Sequence, residues 1–152
     1  MALMPDGRLT VTGEQHTLEV WDAGQSMLLA QLPGDRHDVT SIVPLPDGRR
    51  VASSSLDQTI RVWNLDRPIE PLVLKGHTDG VWTVAAFPDG RHLVSAGNDG
   101  LLVVWDANDG QAVARFVADA ALRDCAVASN GHTVIAGDAR GHVHFLAVKN
   151  LL

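Results

Sequence analysis

The sequence predicts an all-β fold assembled from four copies of one four-stranded antiparallel sheet. Three observations predict it. A turn motif recurs: Pro-Asp-Gly-Arg begins at Pro5, Pro46 and Pro88, and Ser-Asn-Gly-His at Ser129 takes the next place, with starts 41, 42 and 41 residues apart. Trp21, Trp63 and Trp105 are each 42 apart, and Leu146 stands 41 further on. Between these landmarks lie short apolar segments rich in Val and Leu, separated by Asp-Gly and Asn-Gly turns. A fixed period of about 40 residues is the mark of a repeat architecture.

The third copy shows the plan of one unit, strand by strand. VWTVAAF (81–87) forms the first strand and leads into the Pro-Asp-Gly-Arg turn. HLVSA (92–96) forms the second and ends at Asn98-Asp99-Gly100. LLVVW (101–105) forms the third, and the polar turn DANDGQ (106–111) precedes AVARF (112–116), the fourth. Such runs, bounded by Asp-Gly and Asn-Gly, are strands joined by hairpins. No window between the turns holds a 3.6-residue period, so helices are not expected. The units are approximately 1–33, 34–75, 76–117 and 118–152, and they make one domain.

Composition limits the function classes. The chain is 45% hydrophobic and 20% charged, as in an ordinary globular protein. A net charge of −6 argues against nucleic acid as a partner. Its single cysteine, Cys125, excludes a disulfide framework, fits a reducing, cytoplasmic setting, and reads as an inert packed thiol. No apolar run approaches the roughly 20 residues of a membrane span, and the Met-Ala-Leu-Met start is not a signal peptide. No membrane partner, metal or cofactor is expected.

Gly76-His77 and Trp105-Asp106, set in a unit of this length, carry a family resemblance. The chain resembles WD40-repeat β-propellers over its full length, most closely at 76–106. The resemblance implies a WD40-type β-propeller segment of about four four-stranded blades, an incomplete or oligomer-completed ring. Rings of WD40 blades usually close with about seven, within a general propeller range of about four to eight, so four blades are expected to leave an arc. The first unit starts within its first strand and the last lacks a fourth strand. Three arrangements stay open: a piece of a longer propeller, two chains paired into an eight-bladed ring, or four blades closed on themselves.

The resemblance also implies a hydrogen-bonded chain of His77, Ser95, Asp99 and Trp105, and the residue types allow it. Asp99 can accept from the His77 ring, His77 can engage the Ser95 hydroxyl, and Ser95 can accept from the Trp105 indole N–H. The second unit keeps Ser53, Asp57 and Trp63, with Asp35 in place of the histidine. The first keeps Trp21 but has Gln15 at the Asp position; the fourth has Ala118, Arg140 and Leu146. The third unit is therefore expected to be the most rigid. The His-Ser-Asp types have no nucleophile-elbow motif around the serine, so catalysis is not expected.

In this family the top face, built from the Asn-Asp-Gly-type turns and the Gly-His loops, is where partners bind. Carried over by position, the candidates are Trp82, Gly80 and Asn98, then Thr40, Asp38 and Leu56, then Arg123, Ala121 and Ala139. Trp82 is the single Trp outside the repeat position, and aromatic and Arg side chains dominate interface hot spots. Packing between blades is its other reading. The function expected is a non-catalytic scaffold binding a protein or peptide through its top face, with self-association as a further outcome. An alternative is the C-terminal sensor portion of a larger bacterial signalling or defence NTPase, because 134–148 resembles the terminal blade of large bacterial members. No phosphate-binding loop is present in this chain. A propeller-fold enzyme is the remote alternative.

Two weaker constellations remain. His142 and His144, with His132 in the preceding turn, read as a metal pair or as a polar outer face alternating with Val143 and Phe145. Arg8, Arg49, Arg50 and Arg91 fall at the bottom turns beside Asp6, Asp47 and Asp89, as an anion-binding face or a solvated mixed rim.

Overall fold

Strands occupy 58% of the described residues. The computed structural model describes residues 1–14, 16–34, 37–67 and 70–149. Gln15 and Asp35 lie outside the described residues. The first sheet contains β1 (Ala2–Leu3), β2 (Leu9–Glu14), β3 (Thr17–Asp22) and β4 (Met27–Pro33). The second contains β5 (Val39–Pro44), β6 (Arg50–Ser55), β7 (Thr59–Asn64) and β8 (Leu72–Lys75). The third contains β9 (Val81–Ala86), β10 (His92–Gly97), β11 (Leu101–Asp106) and β12 (Ala112–Val117). The fourth has three strands, β13 (Leu122–Val127), β14 (Thr133–Asp138) and β15 (Val143–Ala147). Each sheet is an antiparallel meander in chain order.

The sheets stack face to face in sequence, so the second and third strands of a middle sheet bury both of their faces. Alternation then sorts the side chains. In β10 and β11, Leu93, Val103 and Trp105 face the second sheet and pack with Leu45, Ala52, Ile60 and Leu74. Val94, Ala96, Leu102 and Val104 face the fourth and pack with Leu122, Cys125, Val134 and Ala136. A third core joins Val11, Leu18, Val20 and Leu32 of the first sheet to Val51 and Trp63 of the second. Trp63 and Trp105 are 2% and 1% exposed. Each fills the space between two sheets, and truncating such a ring costs about 3–5 kcal/mol.

First strands β5, β9 and β13 pack side by side along the inner edge. The four sheets do not close into a ring. The two end faces carry exposed apolar groups, with Leu3 at the first sheet and Val143 and Phe145 at the last, the latter pair 58% and 71% exposed. No helix among the described residues is long and apolar enough to cross a membrane.

Arg50 departs from the solvated-rim reading of the bottom arginines, which Arg49 and Arg91 keep, with side chains 74% and 62% exposed. The Arg50 guanidinium donates to Asp47 at 2.6 Å, to the Ala107 carbonyl at 3.2 Å, to Asn108 Oδ1 at 3.0 Å and to the Gly90 carbonyl at 2.8 Å. It staples the second sheet to the third, with four of its five N–H donors spent on these bonds. Arg91 pairs with Asp106 at 2.8 Å, and Arg49 lies 3.8 Å from Asp66.

Candidate functional site

At one end of the sheets, each hairpin turn between second and third strands lies against the segment entering the first strand. The same backbone bond makes that contact three times: Leu56 N–H to the Asp38 carbonyl at 3.1 Å, Asn98 N–H to Gly80 at 2.9 Å, and Ala139 N–H to Ala121 at 2.8 Å. The candidate positions 38, 56, 80, 98, 121 and 139 therefore share one end of the molecule, next to the starts of β5, β9 and β13.

Beneath this face in the third sheet runs a chain of side-chain hydrogen bonds. Trp105 Nε1–H donates to Ser95 Oγ at 2.8 Å, and the Ser95 hydroxyl lies 2.8 Å from His77 Nε2. His77 Nδ1 lies 3.0 Å from Asp99. Asp99 also accepts from Thr78 N–H at 2.8 Å and from Leu101 N–H at 3.0 Å. Indole N–H is donor-only, so polarity runs one way: Trp donates to Ser, Ser to His, and His Nδ1–H to Asp. Burial pushes the His77 ring below its ordinary pKa, against the pull of Asp99. Burial alone would raise Asp99, but the Thr78 and Leu101 amides and His77 outweigh it and hold the carboxylate down. Ser95 is 0% exposed, so no substrate reaches its hydroxyl. The geometry is that of a brace between the turn, the loop and the core tryptophan.

Other sheets solve the same problem with different residues. In the second, Trp63 Nε1–H donates to Ser53 Oγ at 3.2 Å, and Arg61 meets Asp57 at 3.0 Å, both side chains nearly buried. Arg61 stands where the third sheet has Val103, a departure visible once the units are aligned but not weighed from sequence. In the first sheet Thr12 takes the serine's place and accepts from Trp21 Nε1 at 3.2 Å. In the fourth the acid is Asp138, two residues before the aligned Arg140. His142 Nδ1 and His144 Nε2 each lie 3.1 Å from Asp138 Oδ2, and the His142 and Arg140 amides bond its other oxygen. These bonds outweigh burial and hold Asp138 well below the usual carboxylate range.

The polar-outer-face reading is therefore reversed for His144, while the His142 side chain stays exposed. His142 precedes the strand, and His144 pairs across from Ala136, which faces the third sheet, where the ring meets Phe116 at 5.5 Å. The outer face is the apolar one, Val143 and Phe145. Cys125 is buried, and burial pushes its thiol up to about 12, so it holds no thiolate.

The candidate residues divide into two groups. Trp82, Asn98 and Arg123 come together. Trp82 is half-buried; its Nε1–H donates to Asn98 Oδ1 at 2.7 Å, and the Arg123 guanidinium carbon lies 4.9 Å from the ring centroid. Arg123 is exposed. A shallow polar hollow beside them is lined by Asn98, Gly100, Asp119 and Ala121. The other group joins the second and third sheets. Thr40 Oγ1 donates to the Val81 carbonyl at 2.6 Å and lies 2.9 Å from Ser54 Oγ. Gly80 is buried beneath Leu56: a Cβ there would meet Leu56 Cδ2 at 2.9 Å and push the leucine side chain aside. Thr40, Leu56 and Gly80 thus form a junction between sheets, while the Asp38 side chain is exposed beside it.

The family model for the WD domain, G-beta repeat, matches residues 26–64 and 70–106, together half of the chain. The chain belongs to the WD40 repeat family. Its matched segments coincide with the strands from β4 to β7 and from β8 to β11, so the WD40 repeat is offset by about one strand from the sheet. WD40 repeats generally mediate protein–protein interaction. No curated protein matches the chain at a significant level.

Proposed function

We propose that this WD40 chain is a non-catalytic interaction module that binds a protein or peptide through the face carrying Trp82, Asn98 and Arg123. One observation carries the reading. Trp63 and Trp105 are sunk between sheets, whereas Trp82 sits half-buried at the surface, with its ring held by an amide on one side and a guanidinium on the other. A pre-oriented aromatic beside an arginine loses little side-chain entropy on binding, which is what a hot-spot anchor needs. The family's general role in protein–protein interaction supports the same reading.

The test is selection of a displayed random-peptide library on the purified chain, followed by affinity measurement on the Trp82→Ala variant. Selected peptides are expected to lose at least about ten-fold in affinity when the ring is removed, a typical hot-spot effect. They should be unaffected by Arg49→Ala at the opposite end. Peptides that bind Trp82→Ala as well as the parent chain contradict the proposal.

A further inference from the structure

We infer that the site around Trp82 takes a carboxylate, the side chain of an Asp or Glu in an extended peptide segment. The inference rests on the reading of this face as a protein-binding surface. Three groups set its chemistry. The Trp82 indole has one N–H and no acceptor, and that N–H is spent on Asn98 Oδ1 at 2.7 Å. The bond fixes the amide orientation, because only the oxygen can accept; the Asn98 NH2 is then left as a pair of donors, and it bonds no described residue. The third group is the Arg123 guanidinium, 4.9 Å over the ring.

Arg123 makes no hydrogen bond or ion pair with a described residue. By contrast, Arg50, Arg61 and Arg91 each have a carboxylate oxygen within 3.0 Å. Stacking on an aromatic ring uses the flat face of a guanidinium and leaves the N–H donors along its edge. The site therefore offers two sets of unspent donors around an apolar plate. The complement is a planar, acceptor-only group that can take two parallel N–H bonds, which describes a carboxylate. A side-chain amide would turn N–H against the guanidinium, and a cation would be repelled. A polyphosphate chain fits poorly, because the chain carries a net charge of −6 and Asp119 lines the adjoining hollow. A single carboxylate seated on Arg123 brings one charge and meets less of that repulsion.

The experiment uses the peptides selected on the intact chain, with affinities read by fluorescence anisotropy. The expected result is an Asp or Glu at one aligned position of the selected sequences. Replacing it with Asn or Gln should weaken binding about ten-fold, the usual scale of a charge-assisted hydrogen bond. Arg123→Gln should weaken the acidic peptide by a similar factor and leave the neutral peptide unchanged, so the two changes are coupled. Arg123→Glu, with its fold checked by thermal melting, should select Lys- or Arg-bearing peptides instead. Peptides that depend on Trp82 but carry no acid, or acidic peptides indifferent to Arg123→Gln, overturn the carboxylate while the face itself stands. A selection that yields nothing dependent on Trp82 removes both.

Discussion

Ser95 sits between one donor and one acceptor: it accepts from Trp105, donates to His77, and so passes order from the core to Asp99 at the turn. The arrangement requires a neutral His77, whose Nε2 must be free to accept. Burial holds the folded ring below its ordinary value of 6.5, so the unfolded chain takes up a proton that the folded chain resists. In that range the unfolded state binds more protons, and stability therefore falls as pH falls below the ordinary value. Asp99, held below its ordinary value of 3.8, adds a second loss at lower pH still. The melting temperature should drop between about pH 7 and about pH 5, and the drop should be smaller in His77→Gln. Equal drops in both proteins contradict the account. Ser95, Asp99 and Trp105 recur in the second unit as Ser53, Asp57 and Trp63, and the resemblance to WD40 repeats implied that His77 joins them. Arg61, Thr12 and Asp138 were not legible in this way, because each performs the task from a different offset or with a different group. Arg61 reaches Asp57 around a hairpin, and Asp138 gathers two imidazoles that straddle a strand start. Only the folded turn brings such partners together.

At the scale of elements, the strand positions followed from period and turns. The segments expected at 81–87, 92–96, 101–105 and 112–116 are β9 to β12 to within a residue at their ends. What period alone left open was which face of a strand looks which way, because middle sheets bury both faces. That is why His144 and Phe145 were assigned to the wrong sides of β15. The turns also differ in quality. Gly100 adopts φ of 73° in the third sheet's hairpin, and Gln58 takes the same place in the second at φ of 76°. A side chain in this left-handed region costs about 1–2 kcal/mol, and part of that is recovered by glycine at the expense of unfolded-state freedom. Gln58→Gly should therefore raise stability by about 0.5–1 kcal/mol, read as a higher denaturant midpoint at unchanged slope. A lower midpoint contradicts strain at this turn.

At the scale of the molecule, stability lies between the sheets rather than within them. Three cores alternate with four sheets, and Arg50 ties the second to the third at the lower end. The third sheet has a neighbour on each side and the full His-Ser-Asp-Trp chain, so its β10 and β11 amides should exchange most slowly. The same rigidity serves binding. Trp82 and Arg123 are the second residues of β9 and β13, and Asn98 lies in the turn after β10, so the candidate site spans two packed sheets and is oriented before any partner arrives. The measurement that tests this most directly is amide exchange of the chain with and without a selected peptide. The account predicts slowed exchange at 78–82, 97–100 and 119–123, with the turns at 46–50 and 88–92 unchanged. Slowing at those lower turns, with none around Trp82, would contradict it.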